Sequence, residues 1–459
     1  MGIRQSTLLL ADDQGLGKTK EALDITAYRH SVGMVQKCLV VCGVNSTKYN
    51  WEREIAMHTD LSSQLIDGSN PARKIKQIDE WLSGDAVFGI INIEALRKKE
   101  ITDALNDDRI QTIIVDEIHK AKNGNCQQGK ALRGLNAKYK IGLTGTPITN
   151  KAEDLWNILA WLEIESRSYW KFRREFCIED RWGNVIRYRN LASLNLELNT
   201  VMLRRKKEDV IDLPEKIYLP EYVELSKAEQ KLYRDTEAGI LKIADELVDT
   251  SNILAEITRL RQITAGLYTP ASDNAKLKRL REMLEDEILP AGGKVLVFSF
   301  WEEVAKLYRE AFSDYNPAFI SGSVSVADRQ REVDRFQNEA SCQIIIGTIG
   351  AMGTGLTLNK ATHVIFLDKA WTAANNLQAE DRAHRIGTEH SVNIISMIAK
   401  NTIDERVEKR LEENADLFER VVEGTAVRTD TRKMLLEILG ASENVKSKKS
   451  SGVGSRNKP

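Results

Sequence analysis

Over roughly the first 150 residues, short apolar runs alternate with longer polar stretches of helical period. Residues 7–11, 38–42, 87–91, 112–115 and 141–144 are rich in Leu, Ile and Val and too short for helices, which predicts buried strands. Residues 151–271 largely lose this alternation; they are charged and mostly helical in pattern, as at 228–247 and 252–262. Runs at 294–298, 317–320, 343–346, 363–367 and 393–397 restore it. The pattern predicts an α/β chain with two lobes, each a mostly parallel sheet flanked by helices, separated by helical insertions. The expected divisions are 1–150, 151–271, 272–425 and a C-terminal extension over 426–459. From about residue 440 the chain carries five basic residues (Lys446, Lys448, Lys449, Arg456, Lys458) against Glu443, a net of +4 (5 − 1), and reads as a solvated tail.

Composition narrows this picture. A chain of 459 residues predicts two to three domains, and 42% hydrophobic with 29% charged residues is a globular profile. The formal net charge of −1 excludes a globally basic surface, so any nucleic-acid groove must be local. Cys38, Cys42, Cys126, Cys177 and Cys342 form no C-x-x-C pair and read as reduced thiols. No run reaches membrane-spanning length, and the first apolar run leads straight into a glycine loop rather than a cleavage site. The expected setting is the cytoplasm, or a host's cytoplasm for a viral protein, with no membrane partner.

That loop is the centre of the candidate chemistry. The strand at 7–11 breaks into Gln14-Gly15-Leu16-Gly17-Lys18-Thr19, and a helix-forming segment follows to about Arg29. Glycines aim backbone N–H groups inward, the helix end adds partial positive charge, and Lys18 reaches the β/γ-phosphates. The Thr19 hydroxyl suits Mg²⁺. Asp12 stands where the general phosphate-loop pattern has glycine. The apolar run at 112–115 ends in Asp116-Glu117, which puts carboxylates at the edge of the sheet where ligands bind. Asp116 suits Mg²⁺, and Glu117 suits orienting and deprotonating water. Thr144 and Thr146, in Leu143-Thr-Gly-Thr-Pro147, present hydroxyls able to sense a phosphate. In the second lobe, Gln378-Ala-Glu-Asp-Arg382-Ala-His-Arg385-Ile-Gly387 sets two arginines three apart, on one face if helical. They could act on a transferring phosphoryl group as arginine fingers do.

In order, these segments, with Asp116-Glu-Ile-His119 and Gly353-Thr-Gly-Leu356, resemble the motifs of the superfamily 2 helicase-like ATPases of the Swi/Snf family. The likeness extends to Asn50-Trp51-Glu52, Asp154-Leu-Trp156, 202–210 and Trp371, and runs from Leu8 to about Glu412. The Asp-Arg-Ala-His-Arg form looks most like the compact, annealing-helicase branch. The resemblance implies two RecA-like lobes of the P-loop NTPase fold clamping ATP and Mg²⁺ between them. Gln378 would support the arginines. Gly353 and Gly355 would complete the site and link it to DNA, while His119, Thr144 and Thr146 would pass the phosphate state between lobes. Family members are typically translocases on double-stranded DNA that do not read its sequence. The implied protein is a monomeric DNA-dependent ATPase with replication or repair partners.

The expected DNA contacts are Arg173-Arg174 and the run Arg204-Arg205-Lys206-Lys207 on phosphates, with Trp51 and Trp371 stacking on bases. Two departures from the family stand out. The adenine-recognising glutamine segment falls upstream of the first residue, with Gln5 too close to Lys18 to replace it. A proline expected before Asn50 is absent, with Gly43-Val44 nearby. Two further readings are a strand-separating helicase, for which no wedge hairpin is evident, and an ATP-switched clamp.

Overall fold

The computed structural model describes residues 2–43, 47–145, 152–181, 183, 185–210, 212–245, 250–353, 356–385 and 387–411. The first apolar set forms β1 (Thr7–Leu10), β2 (Lys37–Cys42), β3 (Ser63–Leu65), β4 (Phe88–Asn92), β5 (Ile110–Asp116) and β6 (Tyr139–Leu143). Between the two apolar sets come β7 (Cys177–Glu179), β8 (Val185–Tyr188), β9 (Met202–Leu203) and β10 (Lys216–Val223). The second set forms β11 (Val295–Ser299), β12 (Ala318–Ile320), β13 (Ile344–Thr348), β14 (His363–Phe366) and β15 (Val392–Ala399).

Two parallel sheets result, ordered β3-β4-β2-β5-β6-β1-β9 and β10-β15-β14-β11-β13-β12. Their strands are apolar on both faces because helices cover both. Val40 and Ile114 pack into one core while Val41, Ile113 and Val115 pack into another. Val297 and Ile346 likewise face one core of the second sheet, and Phe298 and Ile345 the other. Parallel pairing brings the carboxyl ends of the strands to one edge, so the loops after β1, β5 and β6 meet there.

Residues 151–271 contain more strand than the pattern predicts. Ala152, Leu155, Trp161, Phe172, Leu194 and Met202 extend the first lobe's core, and β9 pairs with β1 through Leu9–Met202 and Leu10–Leu203. Strand β10 joins the second sheet along its whole length, from Lys216–Val392 to Val223–Ala399. It is an edge strand, with Ile217, Tyr218, Leu219 and Tyr222 exposed and Pro220 tolerated where a missing N–H costs no ladder bond, so no apolar run announces it. Strands β7 and β8 pair antiparallel as a hairpin. The helical patterns at 228–247 and 252–262 correspond to the helices Lys227–Asp245 and Thr250–Thr264. All five cysteines are free. Among the described residues, no helix is long and apolar enough to cross a membrane. The basic tail and the 426–459 extension lie outside the described residues.

Candidate interlobe nucleotide site

The loop after β1 is shaped by its two glycines. Gly15 and Gly17 have φ of 83° and 85°, and Gly17 caps the helix Lys18–Ser31. That conformation is costly for a residue with a Cβ. The Lys18 ammonium donates to the Asp12 and Asp13 carbonyls at 2.7 and 3.0 Å, curling over its own loop. Burial lowers its pKa, opposed by Glu117, Asp12, Asp116 and Asp13. Thr19 follows in the first turn of the helix, and Leu16 N–H closes the loop onto the Asp13 carbonyl. Gln14 lies against Gly145, where a Cβ would approach its side-chain nitrogen to 2.3 Å.

Strand β5 ends by delivering Asp116 and Glu117 beside this loop. Asp116 accepts from the Trp51 indole N–H at 3.0 Å and from the Glu117 N–H at 3.0 Å. Burial and the adjacent Glu117 carboxylate push Asp116 up to about 6, against Trp51 and Lys18, which favour its charge. Glu117 itself is left-handed (φ 48°, ψ 49°), a strained choice for a side chain of this size. Gly43 makes room for it, since a Cβ there would lie 2.8 Å from both the Asp116 carbonyl and the Glu117 Cβ. His119 Nδ1 lies 3.0 Å from Thr144 Oγ1 and 3.3 Å from Glu117 Oε2. Burial, reinforced by Lys120 and Lys122, lowers His119 to about 4, so it is neutral near pH 7.

The second lobe closes the site. Gln378 donates its amide to Glu117 Oε1 at 2.8 Å. Arg382 donates to the Gln378 carbonyl at 3.1 Å and to the Leu356 carbonyl at 3.2 Å. Arg385 donates to Thr357 Oγ1 at 2.7 Å, and its Cβ lies 3.3 Å from where a Cβ on Gly15 would stand. Burial and then Arg385 pull Arg382 down to about 10. The two arginines are not on a helix, because Ala373–Glu380 ends before them. They sit instead on the turns after it, wound by Thr388 Oγ1, which accepts from the Arg385 N–H and donates to the Ala383 carbonyl. Gly353 caps the short helix Ile349–Met352, a turn before the Leu356 carbonyl that the arginines share. Thr146 and Gly355 lie outside the described residues.

A family model for the SNF2-related domain matches residues 3–268. The chain belongs to the SNF2-related family of helicase-like ATPases. A second model, the helicase conserved C-terminal domain, matches residues 275–387. The DNA annealing helicase and endonuclease ZRANB3 of Homo sapiens is 29% identical over 87% of this chain and 37% of its own length. Chromodomain-helicase-DNA-binding protein 8 of Danio rerio is 30% identical over 86% of this chain and 17% of its own. A solved Sulfolobus solfataricus SWI2/SNF2 ATPase core in complex with dsDNA is 26% identical, with 91% of this chain and 89% of that one covered at a TM-score of 0.41. The chain spans less than half the length of the curated relatives it matches.

Within this SNF2-related chain, four expected DNA contacts are occupied elsewhere. Trp51 is 1% exposed and serves as a donor to Asp116, so its ring cannot stack on a base. Trp371 packs against the Arg261 guanidinium, 4.2 Å from its ring centroid, and the same guanidinium lies 5.0 Å from the Trp301 ring centroid. Arg204 donates to the Ala11 carbonyl at 3.2 Å. Arg205 pairs with the fully buried Asp12 (Nε to Oδ2, 3.1 Å) and with Glu21. Both arginines therefore brace the phosphate loop. What the motif pattern does not foresee is that Arg205, expected at DNA, pairs with Asp12, the aspartate at the glycine position of the loop. Nor does it foresee the contacts of Lys207: its N–H donates to Asp13 Oδ2 at 3.1 Å while its ammonium crosses to Asp381 Oδ1 at 2.7 Å and the His384 carbonyl at 2.9 Å. Gln5 donates to the Thr200 carbonyl at 3.1 Å.

Proposed function

We propose that this chain is a DNA-dependent ATPase that couples hydrolysis to movement along double-stranded DNA without reading sequence. The observation that carries the reading is the meeting of Gln378, Arg382 and Arg385 with Glu117 and the phosphate loop. Groups from both lobes share one site, so ATP binding and lobe closure become a single event.

In this reading the Gly15–Thr19 loop binds the phosphates, with Lys18 leaving its own carbonyls to contact them. Thr19 and Asp116 would hold Mg²⁺, which when bound neutralises phosphate charge. Their oxygen donors fit that ion. Glu117 orients the attacking water and takes its proton through Oε2, a buried atom whose neighbour among the described residues is His119 Nδ1 at 3.3 Å. Gln378 holds the other carboxylate oxygen. Arg382 and Arg385 stabilise charge on the phosphoryl group. His119 and Thr144, next to Glu117, respond to loss of the phosphate, and the Leu356 carbonyl carries the response into the second lobe. The DNA part of the reading is supported by relatives named as DNA annealing and DNA-binding helicases.

Displacement of a triplex-forming strand from linear duplex tests this function. ATP-dependent displacement, absent in Glu117→Gln, is the expected result; ATP turnover on duplex with no displacement would reject movement.

A further inference from the structure

The β7–β8 hairpin stands outside the nucleotide site and is built to be firm at its base. Tyr188 donates its hydroxyl to the buried Glu153 at 2.9 Å, and the Arg189 N–H donates to the Phe176 carbonyl at 2.9 Å. Arg173 ties the preceding helix, Tyr169–Phe176, to Glu179 of β7 at 2.8 Å. The outer surface is different. Trp170 is 65% exposed at the mouth of a cavity of about 420 Å³, which Arg174 and Arg189 also line. Such a volume lies in the range of small-ligand clefts, ~300–1,000 Å³.

Charge gives the occupant. Residues 170–190 contain six Lys or Arg against three Asp or Glu, a net of +3 (6 − 3), in a chain whose total is −1. Glu175 pairs with Arg167, and Glu179 with Arg173. The outer surface offers an indole ring beside the Arg174 guanidinium, with Arg189 held in place by the Glu175 and Arg174 carbonyls. That combination suits an unpaired nucleotide, with its base on the ring and its phosphate on the cations. Within a duplex the bases are stacked and unavailable to the ring.

We propose that Trp170 and the β7–β8 hairpin form a second nucleic-acid site, which holds unpaired DNA where a duplex opens. The proposal rests on the reading above that DNA is the partner, and it adds a second element of that DNA: the unpaired strand at a fork or junction, beside the duplex the chain moves along. Arg187, exposed on β8 opposite Ile178, extends the cationic edge.

The test uses the full chain, with Trp170→Ala and Arg187→Glu as separate variants. Binding at low salt and stimulated ATP turnover are measured with a fork bearing single-stranded arms, a blunt duplex and a single strand. Each variant is expected to bind the fork and the single strand on the order of 10-fold more weakly, while blunt-duplex binding and DNA-free turnover stay within about two-fold of wild type. Unchanged fork binding in both variants overturns the proposal. So does an equal loss on fork and blunt duplex. Wild-type protein that ignores blunt duplex but binds the fork through Trp170 would reject translocation on duplex and keep the hairpin site.

Discussion

The Gln378 amide donates to Glu117 Oε1 at 2.8 Å across 261 residues of sequence, placing a second-lobe side chain on the carboxylate that ends the first lobe's central strand. If this bond fixes the water-activating carboxylate, Gln378→Ala should lower kcat on the order of 10- to 100-fold with little change in the KM for ATP. Gln378→Glu, which sets like charges together, should cost more. Steady-state hydrolysis on duplex DNA separates the cases, and a change confined to KM would place Gln378 in nucleotide binding instead.

Arg385 lies over Gly15, where a Cβ would come within 3.3 Å of it. Arg385→Ala should reduce turnover on the order of 10³-fold while ATP still binds. Equilibrium binding of a fluorescent ATP analogue beside kcat checks this. Turnover close to wild type would move the phosphoryl-stabilising role to another residue.

Lys207 contacts the phosphate loop with its backbone and Asp381 with its ammonium, so it sets the distance between lobes. A double-mutant cycle of Lys207→Ala and Asp381→Ala, read out in kcat, should give a coupling of roughly 0.5–3 kcal/mol. Strictly additive losses would show that the contact has no part in turnover.

Trp51 gives a stability prediction. Trp51→Phe keeps a ring in the core but removes the donor to buried Asp116, and should destabilise the protein by about 1–3 kcal/mol in urea denaturation. DNA affinity should be unchanged. Reduced DNA affinity at full stability would return Trp51 to the DNA surface.

Much of this site is legible in sequence because each motif closes an apolar run, and a parallel sheet brings such ends together. Lys18, Asp116 and Glu117 meet for that reason, and Gln378 reaches Glu117 from the helix Ala373–Glu380 of the other lobe. What could not be read was direction and distance. A tryptophan after a strand can face the core or the solvent, and only Asp116 beneath it decides for Trp51. Arg204 and Arg205 look like a solvated basic run until β9 lies beside β1, which brings Asp12, 193 residues away, against Arg205. Strand β10 and the β7–β8 hairpin are short or half-exposed, so burial leaves little periodic trace in them. The arginines share a motif but not a helix, because the chain turns after Glu380 to meet Lys207 and Lys216.

The central claim is that duplex DNA drives an ATPase completed by both lobes. The most direct measurement is the ATP turnover of the full chain at low salt with and without blunt linear duplex. A severalfold rise with duplex, lost in Glu117→Gln, is the predicted result; the same turnover with and without duplex would contradict the account.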